Sequence, residues 1–131
     1  MPTKILIVED SPAHLRGYRD MFADTEMQLL LAETMMEGLD AAKANPDVAA
    51  IFVDGMLPRA RGESPEPRSG AECGGAVLVY WLRKHCRYQG PIIACSSSSV
   101  CNRQMQSAGA NESCEKGLAI LHRAETLSRQ P

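Results

Sequence analysis

Four short apolar runs, at 5–8, 27–32, 49–53 and 92–95, alternate along the chain with segments of helical spacing, and this alternation restricts the fold more than any other feature. Runs of this length, rich in Ile, Leu and Val, suit strands buried on both faces. After the first run, Ser11-Pro12 supplies a helix N-cap and a proline at the first helical position. Leu15, Tyr18, Met21 and Phe22 then recur at helical spacing. After the second run, Thr34 and Glu37 fit a capping box. The helix it opens should end near Asn45-Pro46, because proline disfavours helix in the residue before it. The spacing predicts a third helix over 75–85, with Val77, Leu78, Trp81 and Leu82 on one side. Gly90-Pro91 turns the chain into the fourth run, and a weaker helix is expected through Met105. A fifth strand is expected over 111–115, although Ser113-Cys114-Glu115 is poor strand sequence. Leu118, Leu121, Ala124 and Leu127 mark a last amphipathic helix.

Strands that alternate with helices imply right-handed crossovers, hence an α/β fold with a parallel sheet covered on both faces. The 131 residues carry no repeat and read as one domain, 1–131. The stretch 59–74 differs: it holds Gly62, Pro65, Pro67 and Gly70 among alternating charges and has no apolar period. It is expected to be an extended loop, making the connection after the third strand roughly a dozen residues longer than usual.

Hydrophobic residues make up 44% but aromatics only 5%, so the core must be mainly aliphatic and Met. The net charge of -2 and a pI near 5.9 give no basic surface for nucleic acid. The five cysteines are odd in number and include no C-x-x-C pair, against a disulfide framework or structural zinc. They read as free thiols of a reducing compartment, with no context for a reactive thiolate visible in the sequence. His14, His85 and His122 show no ligand spacing and read as surface residues, and Met35-Met36 as core. No apolar stretch approaches the roughly 20 residues of a membrane helix, and the first run is too short for a signal peptide, so a cytoplasmic protein is expected.

In parallel α/β sheets the ligand crevice lies beyond the carboxyl ends of the strands. Glu9 and Asp10 follow the first run, Asp54 the third, Ser96 the fourth and Lys116 the fifth. Three crowded carboxylates repel and raise one another's pKa, and a hard divalent cation such as Mg²⁺ relieves this while keeping open positions for phosphoryl oxygens. A carboxylate can itself be the nucleophile of an aspartyl-phosphate. Phosphoryl transfer asks mainly for positioning and charge neutralisation, here shared between the metal, Lys116 and the Ser96 hydroxyl.

The ordered segments K-I-L-I-V-E-D, F-V-D-G-M-L-P, P-I-I-A-C-S-S and A-G-A-N-E-S-C-E-K resemble the response-regulator receiver domain of two-component phosphorelay signalling. The resemblance covers the chain apart from 59–74. It implies a doubly wound, flavodoxin-like domain with a five-stranded parallel sheet in order 2-1-3-4-5. It implies that Glu9 and Asp10 are the acidic metal pair, Asp54 the phosphoacceptor, and the Met56 backbone carbonyl a further ligand to Mg²⁺. Ser96 matches the switch hydroxyl and Lys116 the family's lysine. The implied partners are a sensor histidine kinase or His phosphotransfer protein and a downstream protein bound on the face of helix four, strand five and helix five. No enzyme activity is implied beyond self-catalysed phosphoryl transfer and autodephosphorylation. Met56, Ser97 and Ser98 stand where the family tunes phosphate lifetime.

Three departures stand out. Ser113 replaces the usual aromatic or His, Gly117 replaces the usual Pro after the lysine, and 59–74 lengthens the loop. They leave a second reading open, a degenerate receiver that acts as a phosphorylation-independent interaction module. A small phosphatase- or flavodoxin-like enzyme is disfavoured, since no glycine-rich or Ser/Thr-rich phosphate loop follows the first strand.

Overall fold

Each apolar run forms a strand, and each segment of helical spacing forms a helix. In chain order these are β1 (Lys4–Val8), α1 (Pro12–Phe22), β2 (Gln28–Ala32), α2 (Met35–Ala44), β3 (Ala50–Asp54), α3 (Gly74–Lys84), β4 (Ile92–Cys95), α4 (Ser99–Ala108), β5 (Glu112–Ser113) and α5 (Cys114–Ser128). The computed structural model describes residues 2–58 and 72–128, so most of the expected loop 59–74 lies outside the described residues. At that loop's far end the structure corrects the expectation, since Gly74 already belongs to α3.

The strands make one parallel sheet in the order β2-β1-β3-β4-β5. Because side chains alternate along a strand, each strand feeds two cores. Leu6, Val8, Ile51 and Val53 pack with Leu39, Leu78, Leu82 and Met105 on the side of α2, α3 and α4. Ile5, Ile7, Phe52 and Ile93 pack with Phe22 and Leu121 on the side of α1 and α5. Both faces are therefore dry, which is why the strands read as unbroken apolar runs.

The caps follow the sequence. Ser11 Oγ accepts from the His14 N–H, and Thr34 Oγ1 accepts from the Glu37 N–H at 3.1 Å. Glu37 reaches back to the Glu33 N–H at 2.9 Å, one residue before the cap. Met35 is buried as expected, whereas Met36 is exposed.

Two close contacts set the helices on the sheet. A Cβ added at Gly75 would stand 2.6 Å from the Asp54 carbonyl oxygen and 2.7 Å from Gly55 Cα, so the start of α3 lies directly on the end of β3. Gly117 packs in the same way against the Ile93 side chain. At the far end of the sheet, the Arg83 guanidinium donates from Nε to Gly109 O at 3.0 Å and from Nη1 to Tyr88 O and Gly90 O, both at 2.8 Å.

The main correction concerns the chain after β4. The expected strand over 111–115 shrinks to two residues, and α5 starts at Cys114 rather than after Lys116. Ser113 takes the cap position, with Oγ accepting from the Lys116 N–H at 3.4 Å. A cap of this type favours helix in the residues that follow. Gly117 leaves them free to join it, where proline would have pushed Lys116 out of the helical region.

Candidate functional site

The site stands at the carboxyl edge of β1, β3 and β4, where the ladder ends and side chains turn outward. Glu9 follows Val8 directly, and its N–H still bonds to Ala32 O at 2.9 Å, so its position is that of a strand residue. Glu9 is 4% exposed, the lone charged residue among the buried ones described. Glu9 Oε1 accepts from the Ser11 N–H at 3.0 Å and lies 3.4 Å from His14 Nδ1. Asp10 beside it is exposed.

Asp54 ends β3 paired with Cys95 of β4. Its Oδ1 accepts from the Met56 N–H at 3.2 Å. Glu9, Asp10 and Asp54 each offer a carboxylate oxygen, and these oxygens lie within 4.8 Å of one another. The expected acidic cluster is therefore formed. The pKa of Asp54 is pushed from 3.8 up to about 6. Burial is the main cause, the Met56 N–H works against it, and Glu9 and Asp10 push further up.

The donor set suits Mg²⁺. All three groups are hard oxygen donors, gathered closely enough that they would hold one small divalent ion. Met56 follows Gly55 at the same rim and is 66% exposed.

Ser96 follows β4 and is held against the site by the tight path of Gly55. A Cβ at Gly55 would meet Ser96 Cβ at 2.8 Å and Ser96 Oγ at 3.0 Å. Ser96 Oγ accepts from the Ser98 N–H at 3.1 Å, which leaves its own proton to donate. Asn102 of α4 anchors the same residue through Ser96 O at 2.8 Å.

Lys116 is the expected site residue that is not gathered in. It lies in the first turn of α5, is exposed, and forms no ion pair among the described residues. It is also absent from the lining of the cavity that holds the three acids.

That cavity, of about 730 Å³, is lined by Glu9, Asp10, Asp54, Met56 and Ser96 and runs on between α1 and α5 past Tyr18, Cys95 and Cys114. His14, a surface residue by its spacing, is exposed, yet it sits on this rim within ion-pair reach of Glu9. His85 and His122 are exposed as expected.

No family model matches the sequence, and no curated relative does. Solved structures do match. A CheY-like response regulator receiver domain protein from Methanospirillum hungatei is 20% identical with a TM-score of 0.70, over 96% of this chain and 95% of that one. This chain has the response-regulator receiver fold. A second receiver-like neighbour is a Vibrio cholerae chemotaxis protein CheY4, 20% identical, TM-score 0.68, over 94% of this chain and 98% of that one. A third match is to the co-crystal structure of a Saccharomyces cerevisiae histidine phosphotransfer signalling protein and the receiver domain of its downstream response regulator. It is 19% identical, with a TM-score of 0.65, over 86% of this chain and 77% of that one. At these identities it is the receiver fold that is shared, including the sheet order β2-β1-β3-β4-β5.

Proposed function

We propose that this chain is a response-regulator receiver that takes a phosphoryl group on Asp54 with Mg²⁺ and acts by binding another protein. The observation that carries this reading is the convergence of Glu9, Asp10 and Asp54 at the carboxyl rim of a receiver fold. Glu9, Asp10, Asp54 and the Met56 carbonyl would hold the ion. Bound Mg²⁺ would neutralise the carboxylates and the charge on the phosphoryl oxygens.

Asp54 Oδ1 is engaged by the Met56 N–H, which leaves Oδ2 to attack phosphorus. A new Oδ2–P bond forms as the bond from phosphorus to the donor breaks, that is, to the imidazole nitrogen of a phosphohistidine or the acetate oxygen of acetyl phosphate. Ser96 Oγ donates to a phosphoryl oxygen. Lys116 would pair with another once the first turn of α5 loosens. The donor protein is a sensor histidine kinase or a His phosphotransfer protein, a reading supported by the phosphotransfer complex among the structural neighbours. The output surface is the face of α4, β5 and α5. No turnover of a separate substrate belongs to this reading, only transfer to Asp54 and hydrolysis from it. The compartment is the cytosol; among the described residues no helix is long and apolar enough to cross a membrane.

One observation favours a second reading, a degenerate receiver that binds its partner without a phosphorylation cycle. Lys116 is held in a capped helical turn away from the acids.

One experiment separates the two. The protein is incubated with Mg²⁺ and acetyl phosphate, and intact mass is followed, with beryllofluoride as a second probe. The receiver reading expects one phosphoryl group on Asp54, lost in Asp54→Ala, and a slower uptake in Lys116→Ala. No uptake, no beryllofluoride binding and no Mg²⁺ binding by the wild type would establish the interaction module instead.

A further inference from the structure

The cavity beside Asp54 contains a pair of nucleophiles that phosphoryl chemistry does not use. Cys95 ends β4 and Cys114 opens α5, and their sulfurs lie 3.0 Å apart. The sheet register brings them together: Ile93 pairs with Glu112 and Ala94 with Ser113, so the next step sets Cys95 beside Cys114. Neighbouring strands run about 4.8 Å apart, within the Cα separation that a disulfide spans. Closing the bond asks the sulfurs to approach by about 1 Å, toward the S–S length near 2.05 Å.

We propose that Cys95 and Cys114 form a redox-active dithiol that a hydroperoxide converts to a disulfide linking β4 to α5.

The two thiols differ in the way such chemistry requires. Cys114 sits at the N-terminus of a 15-residue helix and accepts a hydrogen bond from Cys95. Both effects favour its thiolate. The Cys95 hydrogen bond lowers its pKa, against the effect of burial. Cys95 is the donor of that bond, so its proton lies toward the Cys114 sulfur. Both sulfurs line the cavity, so a small oxidant reaches them from the same opening that serves Asp54.

The Cys114 thiolate attacks one peroxide oxygen, the O–O bond breaks, and the other oxygen leaves as hydroxide (alkoxide from an organic hydroperoxide), taking up the proton that the Cys114 thiol released to solvent to give water or the alcohol. The Cys114 sulfenic acid is then attacked by Cys95 sulfur. The S–S bond forms, the S–O bond breaks, and the hydroxyl leaves with the Cys95 proton as a second water. Two thiols lose two electrons and the peroxide gains them.

The tie would join the residue before Ser96 to the residue two before Lys116. It would pin the first turn of α5, so on the phosphoryl reading above oxidation slows uptake at Asp54.

The reduced full chain is treated with graded hydrogen peroxide, blocked with an alkylating agent and digested, and its peptides are weighed. A Cys95–Cys114 linked peptide, two hydrogens lighter than its parts and reversed by dithiothreitol, is expected ahead of any product at Cys73, Cys86 or Cys101. Cys95→Ser should stop at a dimedone-trapped sulfenic acid on Cys114, and Cys114→Ser should leave Cys95 unreacted. The linkage is followed without Mg²⁺ and without any phosphoryl donor, which keeps this test independent of phosphorylation. Reaction spread evenly over the five thiols, or absence of the link, would overturn the proposal. Equal acetyl phosphate uptake by oxidised and reduced protein would overturn the coupling to Asp54.

Discussion

The hydroxyl of Ser113 accepts a hydrogen bond from the backbone N–H of Lys116 at 3.4 Å. One residue thereby ends the fifth strand and caps the helix that carries the lysine. Replacing such a cap by alanine costs about 1 kcal/mol and frays the first turn. Ser113→Ala is expected to lower stability by ~1 kcal/mol in urea unfolding. Amide exchange at Lys116 and Gly117 should quicken while the core strands keep their protection. Unchanged exchange at those amides would mean that the start of α5 is held by packing alone.

Asp54 is expected to make stability depend on pH and, on the function proposed above, on Mg²⁺. Its folded pKa of about 6 lies above the ordinary 3.8, so the folded chain keeps a proton that the unfolded chain has released. The stability this gives is fully present below 3.8 and is lost as pH rises through about 6. Without divalent cation, the melting temperature should fall across that window, and Asp54→Asn should flatten the fall. Above it, added Mg²⁺ should raise the melting temperature of the wild type, because an ion that binds only the folded chain stabilises it. A melting temperature that ignores Mg²⁺ at neutral pH would count against the site.

Arg83 bridges three carbonyls, those of Tyr88, Gly90 and Gly109, at 2.8–3.0 Å. The planar guanidinium fork reaches all three, and an ammonium does not. Arg83→Lys is therefore expected to destabilise by about 1–3 kcal/mol, since charge-assisted bonds are lost and acceptors are left short of donors. Chemical denaturation measures this directly, and a loss below about 0.5 kcal/mol, the range of ordinary surface changes, would contradict it.

Gly75 bears on the site through the backbone. A methyl there meets the Asp54 carbonyl oxygen, Gly55 Cα and Met105 Sδ at 2.6–2.8 Å. Gly75→Ala must push α3 away from β3, and overpacking of this kind costs about 1–3 kcal/mol. Because Asp54 is one of the atoms' owners, phosphoryl uptake should fall with stability. Calorimetry and acetyl phosphate uptake on the same sample test both parts; a stable variant with full uptake would refute the contact.

The strand ends were legible from the sequence because they are local events: an apolar run stops, a carboxylate follows, and the parallel sheet sends every such end to one rim. Glu9, Asp10, Asp54 and Ser96 were therefore placed by pattern, as were the caps Ser11 and Thr34 and the sheet order that the family resemblance implied. Lys116 stands in the first turn of α5 because where β5 stops is a contest between the ladder and a helix, and Ser113 and Gly117 favour the helix. The Arg83 bridge and the contact of His14 with Glu9 were invisible because each joins groups by packing rather than by spacing. The same holds for Cys95 and Cys114: 19 positions apart in the chain, they read as unrelated thiols until β4 and β5 pair. Periodicity along the chain determined the scaffold and its acidic rim. Only the folded molecule decided which side chains meet, because hydrogen bonds across strands and helices depend on register and approach that no single segment contains.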